Sequence, residues 1–248
     1  WLIFSVSVQM ISSSFMLSQL PKSSHGSNFM QNLQLLIAEF HDKFGHPNHT
    51  GVHIENLRNE ALANLRLNLM SEEITEGEDA EVILDDVEQD EVAKQAAVLE
   101  IFDSLVDTAV IALGTACVYG LRLDSNEPNE ELVEKLVDNP SILGPIRAEF
   151  KTLEQNLTDL VTFPLTKAYL ASAVLRNLQD ILDNCIATAT VLGFPFERGF
   201  VEVHASNMSK LGADGKPIYR EDGKILKGPN YFKANLEKVL NDYHLELT

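Results

Sequence analysis

The sequence predicts an all-α protein, and three observations carry that prediction. Apolar residues recur at helical rather than alternating spacing along most of the chain. Gly and Pro number only 13 and 9 in 248 residues, and they fall mainly between the periodic stretches. The segment from Asp107 to Tyr119 is apolar almost all round after its first residue, which demands a central place in a helical bundle.

Taken in order, residues 1–29 read as a leader or upstream extension outside the fold, and 30–248 as one domain. Trp1 to Leu20 is apolar but laced with Ser and Gln, too polar to span a membrane. A first helix is expected from Asn32 to Phe44, with Leu33, Leu36, Ile37 and Phe40 on one stripe. The Gly45–Gly51 loop follows; His46, His49 and His53 there lack fixed ligand spacing and read as solvated. A second helix is expected from Ile54 to Glu78 on a Leu57, Ala61, Leu65, Leu69 stripe, then a solvated acidic run from Glu78 to Glu91. The central helix, Val92 to Tyr119, ends at Gly120. Further helices are expected over Glu130–Val137, Ile146–Phe163 and Leu165–Leu192. A polar segment from Glu202 to Tyr231 and a last short helix, Ala234 to Tyr243, complete the chain.

The net charge of −18 argues against a nucleic-acid binder, which needs a basic face. It is compatible with a phosphate substrate, because clustered carboxylates hold Mg²⁺ and the metal then carries the positive charge. Cys117 and Cys185 sit in apolar helical patterns and read as buried thiols, in keeping with a cytoplasmic setting. A mean hydropathy of −0.05 reads as a soluble globular protein, with no membrane partner expected.

Two acidic pairs stand out. Glu73 and Glu76 are three apart and Asp103 and Asp107 four apart, so each pair stacks on one helix face. On successive helices the pairs can converge, and four close carboxylates repel unless a cation lies between them; oxygen-only ligands suit Mg²⁺ or Mn²⁺. A solvated acidic face explains Asp103 and Asp107 poorly, since Ile101, Phe102, Leu105, Val106 and Ala109 surround them.

The stretch Leu69-Met-Ser-Glu-Glu-Ile-Thr-Glu76 resembles the ExxE half-motif of the all-α nucleoside triphosphate pyrophosphohydrolases, the MazG and phosphoribosyl-ATP pyrophosphohydrolase-like group. Asp103-Ser-Leu-Val-Asp107 resembles its ExxD half, with Ser104 in the place of the usual Glu and Asp103 or Glu100 as substitutes. Glu39-Phe-His-Asp-Lys-Phe-Gly45 is similar to the start of phage-type members. Val203-His-Ala-Ser-Asn-Met-Ser-Lys-Leu211, with the basic stretch to Tyr231, resembles their C-terminal phosphate segment. Read on composition alone, the lysines concentrated in that stretch suit phosphate, and a solvated basic hairpin on its two Asp-Gly turns is the alternative.

The resemblance implies a helical bundle of that type, with residues 121–194 as a long helical insertion and a loop-rich C-terminal segment. It implies Mg²⁺-dependent hydrolysis of a nucleoside triphosphate between the α- and β-phosphates. Glu73 and Glu76 would be catalytic, and with Asp103 and Asp107 would hold the metal. Asn207, Lys210, Lys224, Lys227 and Tyr231 would contact the nucleotide. Glu72 is a further candidate base, though its position beside Glu73 favours a solvated role. The alternative is a non-catalytic nucleotide-binding module with an impaired metal site. Compact relatives dimerise, so a homodimer or a pseudo-dimeric monomer is expected. Asp107–Leu121 and Asp180–Phe194 form a faint repeat, consistent with a duplicated helix or with two core helices of similar demands.

Overall fold

A computed structural model describes residues 26–123, 130–162, 167–219 and 225–247. Nine helices are found among them: α1 Gly26–Lys43, α2 Ile54–Leu57, α3 Glu60–Asp85, α4 Glu91–Tyr119, α5 Glu130–Val137, α6 Gly144–Thr162, α7 Lys167–Val191, α8 Phe196–Met208 and α9 Leu236–Glu246. The described residues contain no strand, and a lone antiparallel bridge joins Tyr219 to Ile225. The protein is all-α. Among the described residues, no helix is long and apolar enough to cross a membrane.

Two hairpins, α3–α4 and α6–α7, lie side by side as a four-helix bundle, with α3 against α6 and α4 against α7. Helix α4 is the hub, touching α1, α2, α8 and α9 as well. Leu105, Ala109, Ala112, Leu113 and Ala116 on it are fully shielded from solvent. Cys117 and Cys185 are both buried and unpaired.

Several local expectations are corrected. Helix α1 begins at Gly26 rather than Asn32. The Ile54–Glu78 helix is broken at Arg58–Asn59. The His53 ring accepts the Asn56 N–H to start α2, and the Asn59 side chain accepts the Leu62 N–H (3.0 Å) to start α3. Because α3 starts afresh, the stripe extrapolated from Leu57 goes out of phase. Leu65 is 53% exposed, and the buried face is Ala63, Leu67, Met70, Ile74, Gly77 and Ala80. Helix α8, Phe196–Met208, takes in the first residues of the Glu202–Tyr231 stretch expected as a polar loop.

The histidine loop is docked rather than solvated. His49 and His53 stack at 3.9 Å, and their backbone N–H groups donate to the Cys117 and Tyr119 carbonyls at the end of α4. Gly120 closes α4 at φ 67°, where a side chain would be strained and would also run into the Gly51 carbonyl.

Nor is the start of the acidic run left to solvent. Glu78 holds Arg147 of α6 through two hydrogen bonds of 2.9 and 2.6 Å, a bidentate pair. Glu81 accepts the Ile142 and Leu143 N–H groups at 2.7 and 3.0 Å, satisfying donors before and at the start of α6. These two acids fasten one hairpin to the other.

Candidate functional site

The phase of α3 sets the site. Glu73 lies at the edge of the buried face, next to Met70, Ile74 and Gly77 in helical register, while Glu76 is exposed. On α4, Asp103 and Asp107 are partly buried beside fully buried neighbours. The two helices approach closely where Gly77 meets Ser104, since a Cβ at Gly77 would overlap the Ser104 hydroxyl. Ser104 is 2% exposed, and its hydroxyl donates to the Glu73 carbonyl at 2.7 Å. Its side chain is therefore the bolt of the crossing and does not face the carboxylates. Asp103, next to it, lies on the more open side of α4.

The four acids act on one another electrostatically. Burial pushes the Glu73 carboxyl up to about 7, and Glu76, Asp103, Glu72 and Glu100 push it the same way. Asp107 is raised well above the carboxylate range by burial, then by Asp103 and Glu73. Asp103 is raised by burial, a shift opposed by Lys233 and reinforced by Glu76. None of the four carboxylates receives a hydrogen bond from a described residue in the structure. Their side chains are not drawn in to a single point, and no group of three or more His, Cys, Asp or Glu among the described residues is set to hold a metal ion. The donor set nonetheless fits a hard cation in kind: oxygen ligands only, partly desolvated, with a surplus of negative charge.

Opposite the acids stands the C-terminal part of the chain. Lys210, just past α8, donates to Asn207 Oδ1 at 2.7 Å. Burial lowers the Lys210 ammonium, while Asp107, Tyr231 and Glu73 hold it up. The segment after the bridge is laced to α8. Ser206 Oγ donates to the Phe232 carbonyl at 2.8 Å, the Phe232 N–H donates to Ser209 Oγ at 3.1 Å, and the Gly228 N–H donates to the Lys210 carbonyl at 3.2 Å. Lys227 lies over the Tyr231 ring at 4.4 Å from its centre.

Of the residues singled out from sequence, Glu73, Glu76, Asp103 and Asp107 act on one another, and Lys210 acts on Asp107 and Glu73. Asn207 joins them through Lys210, and Lys227 and Tyr231 border Lys210. Lys224 lies outside the described residues. Glu72 is exposed and adds to the charge on Glu73 without facing Asp107. Lys233, which acts on Asp103, was missed; it lies two positions past Tyr231, where the basic string was taken to end.

The described residues thus form an all-helical bundle with a cluster of carboxylates that Lys210 and Lys233 face. No family model matches the chain, and no solved structure matches it. It is similar to an uncharacterized protein of Acanthamoeba polyphaga mimivirus, at 27% identity over 186 residues, covering 71% of this chain and 69% of that protein.

Proposed function

We propose that this chain is a Mg²⁺-dependent nucleotide pyrophosphohydrolase of the MazG-like kind, splitting a nucleoside triphosphate into the monophosphate and pyrophosphate. The observation that carries the reading is Asp107. It is a desolvated carboxylate without a hydrogen-bond donor, pressed by Asp103 and Glu73 and faced by Lys210. A carboxyl in that state takes up a proton unless a cation keeps it ionised, and a divalent ion would do so. The resemblance of Glu73–Glu76 and of the Ser206–Lys210 string to the pyrophosphohydrolase motifs supports the same reading.

Glu73, Glu76, Asp103 and Asp107 would hold Mg²⁺, or Mn²⁺ in its place. When bound, the ion supplies neutralisation of phosphate charge and a water acidic enough to attack. The protein's own groups do the rest. Lys210, kept in line by Asn207, meets phosphate charge beside Asp107; Lys233 does so beside Asp103; Lys227 and Tyr231 form the outer wall. On this reading Ser104 serves the α3–α4 crossing, and Asp103 stands in for the usual Glu. A cytoplasmic setting belongs to the same proposal.

The test is incubation with a panel of nucleoside triphosphates and Mg²⁺, with pyrophosphate and monophosphate quantified. Glu73→Gln is expected to lower release at least about 100-fold. Nucleotide binding without turnover in the wild type refutes catalysis and indicates a binding module instead.

A further inference from the structure

The second hairpin repeats the first in more than outline. Glu149 precedes Asp180 by the same number of residues that separates Glu76 from Asp107, and the two pairs occupy corresponding helices. The position corresponding to Ser104 is Asn177, and each bridges its own hairpin. Ser104 donates to the Glu73 carbonyl, while Asn177 donates to Glu149 Oε2 at 3.2 Å and accepts from Asn156 at 2.6 Å. Both second helices end the same way. Gly120 and Gly193 adopt φ 67° and 70°, and the next residues, Leu121 and Phe194, each donate back to an alanine carbonyl at 2.8 Å, Ala116 and Ala189.

The connections repeat too. Helix α5, which follows α4, packs on α7; helix α8, which follows α7, packs on α4. Each hairpin thus lends its next helix to the other. The copies differ in charge. Arg176 stands where the first hairpin has Asp103, one turn before Asp180, and Ile146 stands where it has Glu73. Asp180 is raised by burial and by Glu149, with Arg176 opposing.

We propose that α6–α7 is a second, disarmed copy of the α3–α4 carboxylate hairpin, in which the Arg176 guanidinium supplies from within the chain the positive charge that the first copy takes from a divalent ion. The proposal rests on the carboxylate reading of the first hairpin. Its consequence is that one substitution re-creates three of the four acids, Glu149, Asp180 and the new carboxylate at 176, on an exposed position where the fold does not depend on the arginine.

The experiment uses the full chain and Mn²⁺ alone, followed by electron paramagnetic resonance. Glu73→Gln with Asp107→Asn reduces the first site to two acids, and the same pair with Arg176→Asp is the test. Bound Mn²⁺ is expected to rise from none to one per chain, and Arg176→Lys in the same background is expected to leave it at none. When the wild type binds Mn²⁺, an Arg176→Asp variant with wild-type helix content that gains none overturns the duplication. Failure of the first reading is distinct: the wild type itself then binds no Mn²⁺.

Discussion

Ser104→Glu restores the residue that the resembled motif carries at this position, and the structure says it will do harm. The hydroxyl lies against Gly77 and Leu143 lies beside the same glycine, so the site has no room for three further heavy atoms. Losing the 2.7 Å bond to the Glu73 carbonyl costs about 1 kcal/mol. Overpacking the crossing adds about 1–3 kcal/mol. A carboxylate buried there, with no cation beside it, adds about 3 kcal/mol or more. The sum is roughly 5 kcal/mol or more, comparable with the whole stability of many domains. Urea unfolding followed by circular dichroism reads it as a midpoint shifted far down or as loss of the cooperative transition. Ser104→Ala removes only the hydrogen bond and should cost about 1 kcal/mol with Mn²⁺ binding retained. A Ser104→Glu protein as stable as the wild type, binding Mn²⁺ more tightly, would refute the assignment of Ser104 to the crossing.

Asp107→Asn removes the most desolvated of the four charges, so the metal-free protein should melt a few degrees higher. The same variant should lose the stabilisation, about 2.7 kcal/mol at a hundredfold excess over Kd, that Mn²⁺ gives the wild type; scanning calorimetry with and without the ion reads both effects. His41 is 3% exposed, and its pKa is lowered from 6.5 to about 4, chiefly by burial. The unfolded chain therefore takes up a proton that the folded one refuses, and stability present above pH 6.5 is lost as pH falls towards 4. The loss approaches about 3 kcal/mol, and urea midpoints across that window should flatten in His41→Gln. Gly120→Ala places a methyl against the Gly51 carbonyl at a positive φ and should cost about 3 kcal/mol, read by thermal melts.

The sequence made α4 legible because a helix apolar on all sides has one possible location, and it made the acid pairs legible because spacings of three and four fix a shared face whatever the tertiary fold. Helix α8 was obscure for the opposite reason. His204, Ser206 and Asn207 carry little apolar signal, and the helix is held by Phe196, Phe200 and Val203 against partners distant in the chain. The break at Asn59 was hidden because an Asn within a periodic run reads as an interior residue until its side chain is seen taking the Leu62 N–H. Glu78 and Glu81 looked like solvated charge because their partners, Arg147 and the start of α6, lie more than sixty residues on. That Glu73 and Glu76, and Asp103 and Asp107, share helix faces was readable from spacing; that the Ser104 hydroxyl is spent on the Glu73 carbonyl required the helix crossing itself.

The lacing of the C-terminal segment to α8 has a kinetic consequence. Ser206 and Ser209 secure it through two hydroxyl contacts, whereas α4 is locked by burial on every side. Contacts of that kind release at a small fraction of the free energy that opens the bundle. The segment that carries Lys227 and Lys233 should therefore exchange its amide protons faster than α4 does.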